Sequence, residues 1–380
     1  VKLDFSNAFN SLHRDAMLAA VKQRVAGINR FCLLSYDQPS VLAYAGRTIR
    51  SQEGPQQGDP LGPALFCNAI QPLLLSLASE LRIGYMDDLT IGGPESQLAQ
   101  DVETVRQKGE EIGLRLNNKK CEYISSTAQS TDSVFNDFIH LTVHQAELLG
   151  APLTTGAAMD KALTSRCDDL ERAAGRLRLL TAHDALILLR SSFSAPKLLH
   201  TLRASPCSGH PALERFDSLL RTCTCDISNT DLTDTQWLQA SLPVRNGGLG
   251  IRRVSSLAPS AFLASAAGTR RLQDEILLNC CASVDSAVTA VLAHWSARFS
   301  QPDALSPGGE AAGKQREWDK PCVAADVTTC CLVSPTDAVK HDCWHCRLHT
   351  AATGCTPSPS HPAAYDWTTR LSESQSVYAL

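Results

Sequence analysis

The chain has 380 residues, 43% of them hydrophobic and 19% charged, with a net charge of −4. That balance excludes an intrinsically disordered chain and leaves room for two or three domains. It also withholds the overall basic excess that binding to nucleic-acid phosphate usually draws on, although 161–253 is locally richer in base, with Arg172, Arg176, Arg178, Arg252 and Arg253. No apolar run is long enough to span a bilayer and no signal peptide is recognisable, which points to a reducing, cytoplasmic or nuclear compartment. The fifteen cysteines, with the adjacent pairs Cys280–Cys281 and Cys330–Cys331, then read as thiols and not as a disulfide framework. The first residue is Val1, inside an expected strand, so the chain is read as a fragment.

In chain order, VKLDF predicts a buried strand, and NAFNSLHRDAMLAAVKQRV has helical spacing of apolar residues. SVLAYAG and RTIRSQEG predict a hairpin joined at Gly46. PALFCNAIQPLLLSLASEL predicts an apolar helix opened by Asp59 as N-cap with Pro60 in the first turn. LRIGYMDDLTIGG predicts a second hairpin with acidic residues at its tip. A polar helix over 95–112 and a strand, LRLNNKKCEYI, follow. From about Leu163 to Ala240 the pattern is helical; LPVRNGGLGIRRV supplies a Gly-rich turn, SLAPSAFLASAAG another helix, and 301–313 a Pro/Gly-rich linker.

Three segments carry candidate chemistry. Asp4 ends a buried strand, where an ionised carboxylate needs a partner or a metal. By itself it reads equally as a cap for the helix that follows. Asp87 and Asp88 lie at a hairpin tip, where aspartate is common for conformational reasons alone. Gln57-Gly58-Asp59-Pro60 makes a tight turn into a helix. Pairing of the two strands in one sheet brings Asp4 to the hairpin tip. Clustered hard oxygen ligands of that kind select Mg²⁺ or Mn²⁺.

VKLDFSNAF, EGPQQGDPLGPALF, GYMDDLTIGG, LNNKKCEY and LLGAPL resemble, in this order, the A, B, C, D and E motifs of reverse transcriptases. The wording of the second and third, with LPVRNGGLGIRRVSSLAPSAF further on, is most similar to non-LTR (LINE-like) retrotransposon enzymes. The resemblance covers roughly 1–260 and, more loosely, runs on to about 340. It implies an α+β right-hand polymerase palm, a small antiparallel sheet backed by helices, over 1–155, beginning at motif A without the fingers. A helical thumb over 156–255 and a helical extension over 256–340 follow.

The implied activity is RNA-directed DNA polymerisation. The implied partners are an RNA template, a DNA primer and dNTPs, and the implied cofactor is two Mg²⁺ ions, with Mn²⁺ as a substitute. Asp4 and Asp87 match the principal metal ligands, Asp88 the third carboxylate, and the Phe5 carbonyl a further ligand. Asn7 and Ala8 offer backbone N–H groups to the triphosphate. Phe9 matches the aromatic that screens the sugar 2′ position, with a plain core aromatic as its alternative. Gln57 and Gly58 match the nucleotide- and template-side loop, Tyr85 and Met86 the primer end, and Leu149 and Gly150 the primer-grip turn. Lys120 matches a motif D lysine acting as general acid; Lys119 competes with it, and a solvated surface lysine is the alternative for both.

Without fingers and endonuclease, little or no polymerase activity is expected of these residues alone. A non-catalytic retroelement remnant and an RNA-binding module are the competing functions. His341, Cys343, His345, Cys346, His349, Cys355 and His361 contain one Cys-x-x-Cys but no finger spacing. Residues from about Lys340 onward back-translate better one base over, so 341–380 is expected to be an out-of-frame, disordered tail.

Overall fold

The computed structural model describes residues 1–277, 285–298 and 307–332. The Cys/His tail, the Cys280–Cys281 pair and the first half of the expected linker lie outside them. The fold is α+β. Five strands form one sheet in the order β4-β5-β1-β6-β7, with β1 Lys2–Leu3, β4 Leu81–Tyr85, β5 Asp88–Gly92, β6 Glu122–Ser125 and β7 Ile139–Thr142. Two separate hairpins are β2 Ser40–Tyr44 with β3 Arg47–Ser51, and β8 Glu147–Leu148 with β9 Ala151–Pro152. β1 is antiparallel to both β5 and β6, but β6 and β7 run parallel, so the sheet is mixed and not wholly antiparallel as expected.

Alternation along β1 and β5 turns Leu3, Leu89 and Ile91 inward, each almost wholly buried. Against them pack α2 (Arg14–Arg24), α3 (Asn29–Tyr36), α4 (Gly62–Leu75) and α5 (Glu95–Glu111). α4 buries Leu65, Phe66, Ala69, Ile70 and Leu73, and α5 buries Leu98, Val102 and Val105, both at helical spacing. The helical segment after Asn7 is interrupted, because α1 (Ala8–Ser11) ends at an extended Leu12 before α2 starts.

Three expected boundaries differ. Asp59 does not cap α4. Its carboxylate accepts the Leu61 N–H at 2.8 Å, a local turn that delays the helix to Gly62. α4 stops at Leu75, where the Ser76 hydroxyl bonds back to the Leu73 carbonyl at 2.7 Å. LRLNNKKCEYI is not one strand. Leu116 makes an isolated bridge to Phe5, residues 118–120 turn, and only β6 is extended.

From Ala157 the chain is helical: α6 Ala157–Leu177, α7 Ala182–Leu188, α8 Ala195–Ala204, α9 Pro211–Ser228, α10 Asp234–Ala240, α11 Val254–Gly268, α12 Arg270–Leu277, α13 Ser286–Ser296 and α14 Gln315–Leu332. Apolar on every side, α11 lies at the centre, with ten consecutively placed buried positions interrupted only at Ser255. The end of the expected linker is structured. Gly309–Gly313 forms a 3₁₀ turn against α11, and Gly268 and Gly313 meet backbone to backbone.

Candidate active site

The Leu3–Leu89 and Lys2–Thr90 pairs set the β1/β5 register. One step further along the same register, Asp4 stands opposite Asp88. Directly opposed residues of an antiparallel pair point to the same face, about 4.5–5.5 Å apart at Cα. Asp4 and Asp88 therefore share the face opposite to buried Leu3 and Leu89. Tyr85 pairs with Asp88, which leaves Met86 and Asp87 as a two-residue turn with Met86 at φ 56°. A side chain larger than Asn is rarely held in that left-handed region, and such residues concentrate at functional sites. Asp87 is exposed at the tip, and Tyr85 is 54% exposed beside it.

None of Asp4, Asp87 and Asp88 takes part in a salt bridge among the described residues; the nearest pair on this face is Lys2 with Glu122 at 3.6 Å. Carboxylates are hard-oxygen donors of the kind Mg²⁺ takes. The side chains are neighbours by register and not yet convergent: among the described residues no three His, Cys, Asp or Glu groups are close enough together to hold a metal ion.

On the other side of Asp4 lies the turn that carries Lys119 and Lys120, both exposed. The Asn117 N–H donates to the Asp4 carbonyl at 2.8 Å, and the Lys120 N–H to the Asn117 carbonyl at 2.8 Å. The strand order β5-β1-β6 thus sets Asp4 between the acidic hairpin and the lysine turn. Phe5 is buried, bridged to Leu116. Asn7, at φ 50°, turns the chain into α1, and its side-chain oxygen accepts from Asn10 Nδ2 at 2.7 Å.

Phe9 is half-buried and stacks on Phe66 of α4, ring centroids 4.5 Å apart and 18° from parallel. Its carbonyl touches Gly54. A Cβ on Gly54 would lie 1.8 Å from that oxygen, and Gly54 stands at φ 64°. The loop from Gly54 to Leu61 is held from two sides. Arg14, buried at 6% exposure, donates from Nε to the Gly54 carbonyl at 3.0 Å and from a terminal nitrogen to the Ser51 hydroxyl at 3.0 Å. Tyr36 donates its hydroxyl to Asp59 and accepts the Gln56 N–H at 3.2 Å. Burial, and then the Asp59 contact, push the Tyr36 phenol up to about 12. Gln57 and Gly58 are left at the exposed crest, with Gly58 at φ 89° and open space around it.

Arg14 and Tyr36 were absent from the sequence-based site. Arg14 lies on a helix whose apolar spacing was legible and Tyr36 on α3, which the sequence reading did not include, and what makes both important is contact with a loop 20 to 40 residues away. The Leu149-Gly150 turn has both residues at positive φ, 50° and 75°, and is fastened to α8. His200 Nε2 bonds the Leu149 carbonyl at 3.0 Å, and the Ser205 hydroxyl bonds the Pro152 carbonyl at 2.6 Å. Of the basic residues singled out for phosphate, Arg172, Arg176 and Arg178 are exposed on or just after α6, with Arg172 paired to Asp169 and Arg178 to Asp226. Arg252 and Arg253 are not free for it: they pair with Asp319 at 2.7 Å and Asp326 at 2.9 Å.

Residues 1–153 match the family of reverse transcriptase (RNA-dependent DNA polymerase), and this stretch is a reverse transcriptase domain. The wider chain is similar to a retrotransposable element SLACS 132 kDa protein of Trypanosoma brucei gambiense, 25% identical over 71% of this chain and 24% of that protein. It is similar as well to a retrovirus-related Pol polyprotein from type-1 retrotransposable element R2 of Popillia japonica, 26% identical over 66% of this chain and 46% of that protein. Both relatives are retrotransposable-element proteins, in keeping with the likeness to non-LTR enzymes, and the chain spans less than half the length of either. Among the described residues no helix is long and apolar enough to cross a membrane.

Proposed function

We propose that this chain is the polymerase core of a retrotransposon protein, with 1–155 as palm, 156–255 as thumb and the described residues after 255 as a helical extension. It adds deoxynucleotides to a DNA primer 3′-OH on an RNA template. The observation that carries this reading is the register that sets Asp4 opposite Asp88 with Asp87 at the adjoining tip, within a domain of the reverse transcriptase family. Asp4, Asp87, Asp88 and the Phe5 carbonyl would hold two Mg²⁺ ions. A pair of such ions activates the attacking hydroxyl and stabilises the leaving phosphate in an in-line displacement.

The chain's own residues position and move protons around that centre. The Asn7 and Ala8 N–H groups receive the triphosphate. Phe9, braced by Phe66, screens the sugar 2′ position, which favours dNTPs over ribonucleotides. Gln57 and Gly58, on a loop fixed by Arg14 and Tyr36, bear on the incoming nucleotide and template base. Tyr85 and Met86 approach the primer end, and the Leu149-Gly150 turn supports it from the thumb side. Lys120, or its neighbour Lys119, delivers a proton to the pyrophosphate. The compartment we propose is cytoplasmic and nuclear.

Template-directed primer extension tests the reading. A longer protein carrying these residues should extend a DNA primer on RNA in Mg²⁺ and lose extension with Asp4→Asn. The 380-residue chain, with less than half of either relative's length, should show little or none. RNA binding unaffected by Asp87→Ala, with no extension by the longer protein, would replace the polymerase reading with an RNA-binding module.

A further inference from the structure

The end of β1 is held in an unusual way. β1 stops at Leu3, so the Asp4 peptide has no strand partner for its N–H. That N–H points instead at the sulfur of Cys121, 3.4 Å away, and the same sulfur lies 3.8 Å from the Asp4 carbonyl, to which its S–H can donate. Cys121 is fully buried, at 0% exposure, so no water takes its place. Its own backbone is pinned on both sides, the N–H to the Asn117 carbonyl at 3.1 Å and the carbonyl to the Ile139 N–H at 2.8 Å. The sulfur is therefore offered to Asp4 from a fixed position. Sulfur is a weak acceptor, yet it is the partner the Asp4 N–H has here.

Asn117 and Cys121 are the two ends of the turn that carries Lys119 and Lys120. Both ends are fastened to the one Asp4 peptide, by the Asn117 N–H on its carbonyl and by the Cys121 sulfur on its N–H. We propose that Cys121 is a positioning residue for catalysis, whose thiol sets the Asp4 carboxylate against the lysine turn so that the two move as one unit. The proposal rests on the reading of Asp4 as a metal ligand. A cysteine that merely fills space would be replaced equally well by alanine or valine. A thiol that acts through its hydrogen bonds is replaced by serine and not by either of those.

The test uses the 380-residue chain with Mn²⁺ as probe, bound ion being followed by electron paramagnetic resonance, for Cys121→Ala, Cys121→Val, Cys121→Ser, Asp4→Asn and Asp88→Asn. Partners that orient metal ligands typically carry 10- to 100-fold in affinity, so the Ala and Val variants should bind Mn²⁺ on the order of tenfold more weakly, with Ser close to the parent. Amide hydrogen exchange gives a second readout that needs no metal: the Asp4 N–H should be protected in the parent and in Cys121→Ser, and exchange faster in Cys121→Ala. Parent-like Mn²⁺ binding and Asp4 protection in all three Cys121 variants, with binding lost in Asp4→Asn and Asp88→Asn, would overturn the role of the thiol and leave the metal site standing. Mn²⁺ binding indifferent to Asp4→Asn and Asp88→Asn would remove the metal reading, and the proposal with it.

Discussion

Carried one step past the end of β1, the register of the buried Leu3–Leu89 pair brings Asp4 to the position opposite Asp88. Because the side-chain period of a strand is two, burial of the leucines obliges both aspartates to the opposite face. Replacing either by Asn keeps shape and register and removes one charge. In a protein competent for primer extension, Asp4→Asn or Asp88→Asn should lower the rate at least about 100-fold, equivalent to about 2.7 kcal/mol of barrier, without lowering the melting temperature. Relief of carboxylate repulsion should instead raise stability slightly in metal-free buffer. Retention of rate in either variant would separate the sheet register from the chemistry.

Gly54 couples the two segments that flank the proposed nucleotide site. Its left-handed backbone and the 1.8 Å approach of a notional Cβ to the Phe9 carbonyl leave no room for a side chain. Gly54→Ala should destabilise the domain by about 3 kcal/mol or more, because the obstructing atom is backbone. Gly58→Ala meets open space and only the positive φ, so about 1–2 kcal/mol is expected. Urea denaturation of the two variants side by side checks the ranking.

What could be read from the sequence was what is determined locally. The Ala45-Gly46 turn follows from the tolerance of Gly46 for positive φ, the Met86-Asp87 turn from the apolar runs on either side of it, and the face shared by Asp4 and Asp88 from alternation. Helix starts were less legible, since Asp59 makes the same side-chain-to-backbone bond in a turn as in a cap. Arg14 was missed because a polar residue on an amphipathic helix looks solvated until a remote loop closes over it. The pairing of Arg252 and Arg253 was not legible for the same reason, their partners lying 67 and 73 residues onward. Local charge density shows where cations are, but not whether the fold has already paired them.

Asp101 of α5 gives the domain a pH dependence. Its carboxylate, 3% exposed, accepts the N–H of Ala78 at 3.0 Å, the N–H of Ser79 at 2.7 Å and the Ser79 hydroxyl, tying the end of α4 to α5. Burial pushes the carboxyl group up, but these hydrogen bonds together outweigh it and hold it below its ordinary value of 3.8. A depressed folded-state value means the ionised form is favoured by folding. The stabilisation is therefore complete above the unfolded value and is lost as pH falls below about 4. Asp101→Asn should cost about 1–3 kcal/mol at neutral pH and flatten the fall in stability in acid. Guanidinium unfolding at pH 7 and near pH 3.5 distinguishes this from general acid unfolding, in which parent and variant would lose stability in parallel.

The Arg252–Asp319 pair fastens α14 to the chain just before α11 through two parallel hydrogen bonds, 2.7 and 2.9 Å, with Asp319 7% exposed. Arg253 makes a single contact with Asp326, at 2.9 Å, and Asp326 also faces Arg298 at 3.7 Å. Removing one partner of such a pair leaves a poorly solvated charge, so Asp319→Ala should cost about 3 kcal/mol. Arg252→Lys should recover only part of the loss relative to Arg252→Ala, because an ammonium cannot make the two-pronged contact. The same geometry implies that Arg252 releases no counterions when RNA binds. The slope of RNA affinity against salt should be unchanged in Arg252→Ala, measured at a temperature where the variant stays folded, whereas Arg176→Ala, at an exposed arginine outside these ion pairs, should reduce it by about one ion. A reduced slope for Arg252→Ala would mean that the ion pair opens to receive phosphate.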